Sequence, residues 1–419
     1  MIKRSLQSTL AYLRAFAYWA VMAAAVGAVC GLAGGVFAMA VEEATVLRGE
    51  YSFLMYLMPA AGLIIAGLYR LLKLPLNLDT DEIITTVRTQ GKVPLAMAPA
   101  IFISTVLTHL TGGSAGREGA ALQLGGSIGV AMSRMSRGRE DTCRIFELCG
   151  MAALFSALFG TPLTATVFVL EIIEVGRFND RGLLPCLISA VTAKLVAMGI
   201  GAPLEAFPLA AGLVTVNALS AVQAAGLGVA CAAVAIFFCV VMHFASKNVK
   251  RLIPNDFLRV LIGGAAVILL TLLLGTTDYN GGGMHNILHA LQGHAAPEAF
   301  LLKILFTAVT LSSGYKGGEI VPSFFVGATM GCVIAPLMGF SAAAGAALGM
   351  IGVFCGVTNA PLASMMLSVE LFGTEYLPLF GVTAAVSYML SGHFSLYHAQ
   401  IFAEPKMGHR EEQKEHLAA

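Results

Sequence analysis

The sequence predicts an all-α polytopic membrane protein, made of two inverted repeats whose broken helices re-enter toward the bilayer centre. Three observations predict it. Hydrophobic residues make up 57% of the chain and charged residues only 12%, about half the charge of a typical soluble domain. Apolar runs of helical length recur from one end to the other. One ordered set of motifs also occurs twice, about 200 residues apart.

The apolar runs are Phe16–Ala40, Leu54–Tyr69, Leu95–Leu110, Gly150–Leu170, Leu183–Gly199, Gly226–His243, Val260–Leu274, Val321–Phe340 and Tyr376–Leu390. Each approaches or exceeds the roughly 20 residues that a helix needs to cross a bilayer. They lack the single apolar stripe of helices packed on a soluble core, so lipid is the expected surrounding. Residues 1–419 read as a single transport domain, with repeat one at about 16–200, repeat two at about 225–402 and a short cytoplasmic tail at 403–419. Lys247, Lys250 and Arg251 lie between the halves and, with both termini, are expected in the cytoplasm, where basic segments stay. The start, Met1-Ile-Lys-Arg, is basic, but no small-residue site closes a short apolar segment, so no cleaved leader is expected. A net charge of +1 leaves no footprint for nucleic acid. The eight cysteines form no CxxC and read as small core residues; neither a metal nor a cofactor is expected.

The first half reads Gly116-Arg117-Glu118, Gly150-Met151, Pro162-Leu163, Glu171. The second reads Gly317-Gly318-Glu319, Gly349-Met350, Pro361-Leu362, Glu370. Twelve positions separate Gly150 from Pro162, and twelve separate Gly349 from Pro361; nine then lead to each final glutamate. Glu118 precedes Gly150 by 32 positions and Glu319 precedes Gly349 by 30, which makes Glu319 the repeat partner of Glu118. Internal repeats of this size in a membrane protein point to a transporter. Charge indicates their relative orientation. Arg134, Arg137, Arg139 and Arg144 follow the first motif, whereas the matching stretch, 333–348, has no Lys or Arg. The equivalent loops should face opposite sides, as in inverted repeats; a parallel duplication with one atypical loop is the alternative.

Two glycine-rich turns carry the chemistry. In Gly112-Gly-Ser-Ala-Gly-Arg-Glu-Gly119, glycine backbone precedes a helix and exposes the free N–H groups of its first turn. Those donors and the helix dipole make an anion site, with Gly116, Arg117 and Gly119 as candidate binding residues. Within a membrane, such backbone survives only where it faces protein or an aqueous cavity. Glu118 falls in that first turn, where its carboxylate competes with an anion for the same donors, and protonation would remove the competitor. The alternative is a capping carboxylate; the cost of an ionisable group at membrane depth favours function. In Gly314-Tyr-Lys-Gly-Gly-Glu-Ile-Val-Pro322, proline suits the first turn of a second helix. Gly318, Ile320 and Val321 are the candidate anion contacts there. Glu319 is a second proton carrier, unless it merely pairs with Lys316. Two acids at facing helix starts could pass a proton across the anion site.

The remaining polar groups read as structural. Lys194 is expected to snorkel; Lys303 either snorkels, pairs with a carboxylate or offsets the anion. Glu171 and Glu370 end equivalent helices and are expected to make structural hydrogen bonds. His285, His289 and His294 follow Asp278-Tyr-Asn-Gly-Gly-Gly283 at spacings that suit an exposed loop better than a metal site. There is no HExxH, and Ala115 after Ser114 spoils a nucleophile motif, so enzymatic activity is not expected. A receptor that transports nothing would not need acids at two helix starts.

The order Gly116-Arg-Glu-Gly119, then Gly317-Gly-Glu319-x-x-Pro322, then a tyrosine near the C-terminus resembles the CLC family of chloride channels and anion/proton exchangers, over about 16–402. Most of that family has G-x-F-x-P where this chain has Gly318-Glu319-Ile-Val-Pro322. A glutamate there is similar to the bacterial fluoride/proton antiporter branch. That branch also lacks the family's serine loop, and Leu74-Pro-Leu-Asn77-Leu-Asp79 stands in its place. The resemblance implies that Glu118 is the gating glutamate, Glu319 the branch-specific acid and Tyr397 the pore tyrosine, with Asn77 at the inner mouth. It further implies a homodimer with one pore per subunit in the bacterial inner membrane, exporting fluoride against protons and so conferring fluoride resistance. A chloride/proton exchanger or chloride channel on the same fold is the alternative. Three departures stand out. Ile172 replaces the second acid that many proton-coupled members carry after Glu171, which leaves Glu319 to take its part. Val321 stands where well-studied fluoride members have threonine. Phenylalanines lining the path in some members have no counterpart near 77–86.

Overall fold

The structure, a computed structural model, describes residues 2–89, 93–134, 140–210, 212–403 and 406. Among them the first half folds into α1 (Ile2–Glu50), α2 (Met58–Leu71), α3 (Thr80–Thr89), α4 (Met97–Leu110), α5 (Glu118–Ser133), α6 (Glu140–Phe159), α7 (Pro162–Glu171) and α8 (Leu183–Gly199). The second half folds into α9 (Ala218–Leu252), α10 (Asp256–Leu274), α11 (Met284–Leu291), α12 (Ala299–Ser312), α13 (Ile320–Ile334), α14 (Ala342–Thr358), α15 (Pro361–Phe372) and α16 (Leu377–Leu390). The packing repeats as well. α5 lies on α6 as α13 lies on α14, and α1 lies on α8 as α9 lies on α16.

Glycine explains how these pairs close. A Cβ on Gly125 would stand 2.2 Å from the Gly150 carbonyl oxygen, and one on Gly327 would stand 2.3 Å from that of Gly349. In both seams backbone touches backbone, the close approach that small residues permit between membrane helices.

Two reciprocal exchanges relate the halves. Gly116 N–H donates to Gly318 O at 2.7 Å and Gly318 N–H donates back to Gly116 O at 2.9 Å, an antiparallel bridge. The Glu171 carboxylate, ending α7, accepts from Leu362 and Ala363 N–H at 3.0 and 2.8 Å, at the start of α15. Glu370, in the last turn of α15, accepts from Leu163 and Thr164 N–H at 3.0 and 2.7 Å, at the start of α7. Each helix caps the other's unsatisfied first turn. The two therefore run antiparallel, as inverted repeats require, and both glutamates have the structural role expected of them.

Several boundaries differ from expectation. The run Gly150–Leu170 is two helices, because Gly160 adopts φ +71° and Pro162 then opens α7. α12, α14 and α15 escape the apolar scan because they are short or rich in alanine, glycine and serine. His285 and His289 are exposed as expected, but on α11 rather than in a loop. Seven of the eight cysteines are buried. The chain is anchored where the tail begins. Ile401–Phe402 pairs in parallel with Glu174–Val175, and Lys406 Nζ donates to Asn359 Oδ1 and, at 2.6 Å, to Tyr388 O. Arg137, Arg139, residues 404–405 and residues 407–419 lie outside the described residues.

Candidate ion-binding site

The Gly116–Gly318 bridge brings the starts of α5 and α13 face to face, at the point where two cavities approach each other. Glu118 is the first residue of α5, with Arg117 as its N-cap, and its side chain is 0% exposed. The side chain folds back over Gly116, where a Cβ would stand 2.2 Å from Glu118 Oε2. That oxygen accepts from Val321 N–H at 3.3 Å. Its own backbone N–H, a donor of its own turn as expected, also interacts with the carboxylate, and the facing helix, which the bridge holds within reach, adds Val321 N–H. Glu118 Oε1 has no hydrogen-bond partner among the described residues. A buried carboxylate with one oxygen free is under-satisfied, so its place can be contested by an anion and its free oxygen can take a proton.

Glu319 is the N-cap of α13 and half-buried. It lines the first cavity together with Asn77, Asp79, Asp81, Tyr397, His398 and Lys250. This brings the expected Asn77, Glu319 and Tyr397 to one opening. Asp81 positions the tyrosine turn by accepting from the N–H groups of His398 and Ala399 at 3.1 and 3.0 Å. Lys316 is not the partner of Glu319. Its Nζ donates to Leu76 O and Leu78 O at 2.5 and 2.7 Å, which pins the segment that carries Asn77.

The bridge also corrects the pairing of the acids. Gly116 and Gly318 exchange equivalent hydrogen bonds, and α5 begins at residue 118 whereas α13 begins at residue 320. By both measures Glu118 corresponds to Ile320, and Glu319 corresponds to Arg117. The equal gaps further along the chain hid this one-residue difference.

Glu118 faces the second cavity, which is also lined by Gly116, Arg117, Glu205, Glu42, Arg48 and Val321. Arg117, expected to contact the anion, is engaged elsewhere: its Nη2 holds Glu205 Oε1 at 3.0 Å, with the two side chains 9% and 8% exposed. Glu205 was missed. The available signal was a lone acid in the apolar stretch 202–210. Lys303 does not snorkel, and among the described residues it pairs with no carboxylate. It is 0% exposed and donates to Tyr279 O and Gly281 O at 3.1 and 2.6 Å. It thereby shapes a wall in which Gly281 and Gly283 adopt φ +60° and +79°. Gly119 works by closeness, since a Cβ there would stand 2.9 Å from Gly318 Cα. Ile320 and Val321 present first-turn N–H groups that lack intrahelical acceptors.

An inverted-repeat helical bundle, broken at facing helix starts and opened by a cavity on each side, defines a membrane ion transporter. The voltage gated chloride channel family matches residues 61–392. A chloride/fluoride channel protein of Pseudomonas syringae pv. tomato is 34% identical over 391 residues, 92% of this chain and 86% of the relative. The chain belongs to the CLC family. A solved CLC-type fluoride/proton antiporter superposes with a TM-score of 0.89 at 30% identity, covering 93% of this chain and 98% of that one. A slow cyanobacterial chloride/proton antiporter shares the fold, with a TM-score of 0.74 at 20% identity over 89% of this chain and 94% of that one.

Proposed function

We propose that this chain is a secondary antiporter that exports fluoride in exchange for protons, and so confers fluoride resistance on a bacterium in whose inner membrane it works as a homodimer. The observation that carries the reading is the placement of two acids on either side of the Gly116–Gly318 bridge, Glu118 toward one cavity and Glu319 toward the other. The cavity that holds Lys250 faces the cytoplasm in this reading, because basic segments stay inside. Glu118, when protonated, gives up Val321 N–H, and the anion takes that donor. Glu319, beside Tyr397, is the acid through which the proton leaves to the cytoplasm. Fluoride is small and strongly hydrated, so backbone N–H and Tyr397 hydroxyl donors must replace its water. The superposable fluoride/proton antiporter supports fluoride as the substrate, and the 34% identical relative carries fluoride beside chloride in its name.

The test is reconstitution into vesicles, with fluoride and proton movements recorded together. A fluoride gradient should drive protons uphill, chloride should substitute poorly, and Glu118→Gln and Glu319→Gln should each uncouple the two ions. Equal permeation of chloride and fluoride would leave the chloride exchanger as the better reading. A mass twice that of the chain in detergent would support the dimer.

A further inference from the structure

Among the described residues, two buried carboxylate oxygens in the second cavity lack a hydrogen-bond partner: Oε1 of Glu118 and Oε2 of Glu205. Glu205 is carried by the segment between α8 and α9. Its other oxygen holds Arg117 Nη2 at 3.0 Å, and Arg117 immediately precedes Glu118. Both acids and the Arg117 guanidinium thus line one cavity, and the Arg117–Glu205 pair is almost closed to water. With both carboxylates ionised the group carries one uncompensated negative charge, which a single proton cancels. The open acceptors for that proton are the two oxygens without partners. Burial is the largest influence on the Glu205 carboxyl and raises it above its ordinary range, while Arg117 draws it back. The other charged and titratable groups around the cavity are Glu42 and Arg48 from α1, His109 from α4, Asp278, and His285 from α11. Arg48 is already committed through Nη1 to the His109 carbonyl at 2.9 Å.

We propose that Glu205 loads the proton onto Glu118 from the second cavity. Glu205 Oε2 accepts a proton that enters by way of the second cavity, the proton passes to Glu118 Oε1, and Glu205 returns to the carboxylate that holds Arg117. Protonated Glu118 then releases Val321 N–H. Glu205 Oε2 takes no part in holding Arg117, and its desolvation stays uncompensated while the group is ionised. The inference rests on the antiport reading above.

The experiment measures fluoride-driven proton uptake by the full chain in vesicles of known orientation, with the pH of the two compartments varied separately. E205Q should slow coupled exchange about tenfold at neutral pH. Acidifying the Glu205 side should restore the rate by loading Glu118 directly, whereas acidifying the Glu319 side should not. E205D, which keeps a titratable group, should remain within about twofold of wild type. Should E205Q fail to fold because Arg117 is left unpaired, R117M/E205Q removes both charges and carries the same expectation. A wild-type rate and pH profile in E205Q would overturn the proposal. So would a slowing that acid on neither side relieves and E205D does not rescue, since that describes a structural anchor. Wild-type protein that moves fluoride without protons would instead overturn the antiport reading itself.

Discussion

Gly116→Ala tests the gate with a single methyl group. The new Cβ would stand 2.2 Å from Glu118 Oε2 and 3.2 Å from Pro322 Cδ and Val321 Cβ. Gly116 cannot retreat, because two hydrogen bonds fix it to Gly318. Its φ is not positive, so alanine causes no backbone strain there. The carboxylate is the flexible partner, and it must leave Val321 N–H. A hydrogen bond to a charged group is worth about 1.5–3 kcal/mol; at 3.3 Å this one belongs at the lower end. Losing about 1.5 kcal/mol in favour of the open position corresponds to roughly a tenfold shift in occupancy. Uncoupled fluoride flux in vesicles should rise by about that factor, and protons moved per fluoride should fall. Gly67→Ala, where a Cβ meets nothing within 4 Å, is the control and should behave as wild type. Unchanged coupling in a folded Gly116→Ala protein would refute the claim that the carboxylate occupies the anion's place.

Glu171→Gln and Glu370→Gln each leave one acceptor for two N–H groups, so both should lower thermal stability by about 1–2 kcal/mol to a similar degree while transport coupling stays intact; a selective loss of coupling in either would contradict the symmetric capping. Gly125→Ala sets a methyl 2.2 Å from the Gly150 carbonyl oxygen, backbone that cannot rotate away, and should cost several kcal/mol, on the order of the upper range for overpacking; an unchanged unfolding temperature would show that the α5–α6 seam can open. Lys316→Met strips Leu76 O and Leu78 O of their donor; it should destabilise by about 2–3 kcal/mol and weaken fluoride binding through the Asn77 segment, and a variant with wild-type stability and apparent affinity would separate Lys316 from that segment.

What the sequence revealed and what it hid divide along physical lines. Composition and long apolar runs expose lipid-facing spans, because those must be hydrophobic over a fixed length. Glycine next to glutamate at 116–119 and 317–319 exposes the broken helix starts, because only such backbone presents free donors. α12, α14 and α15 showed no apolar run of their own, since helices of this length need no full apolar span, although Glu171 and Glu370 marked the ends of α7 and α15. Glu205 was hidden because its significance comes from a partner 88 positions earlier, Arg117, and nothing in its local pattern records that contact. The role of Lys303 was left open for a related reason. A buried ammonium can be satisfied by backbone carbonyls, which carry no signature in the sequence.

The one-residue offset between the acids explains why a duplicated scaffold makes an asymmetric gate. If Glu118 and Glu319 occupied equivalent places, the axis relating the halves would give them equivalent surroundings, and neither side would be distinguished. The antiparallel bridge instead makes Arg117 the two-fold counterpart of Glu319, and Glu118 that of Ile320. The first repeat thus has a cation at its helix cap and an acid inside the first turn; the second has an acid at its cap and an apolar residue inside. Glu118, within the turn, reaches across to Val321 N–H and closes the anion's position. Glu319, one residue earlier, stays on the side that Asn77 and Tyr397 line. Shifting the second acid by exchanging the two residues, Glu319→Ile with Ile320→Glu, should set it against Gly318 as Glu118 lies against Gly116. That variant should lose fluoride-coupled proton movement by at least tenfold while keeping its fold, because the capping pairs Glu171 and Glu370 are untouched. Retained coupling in it would mean that the number of acids near the bridge, and not their register, sets the exchange.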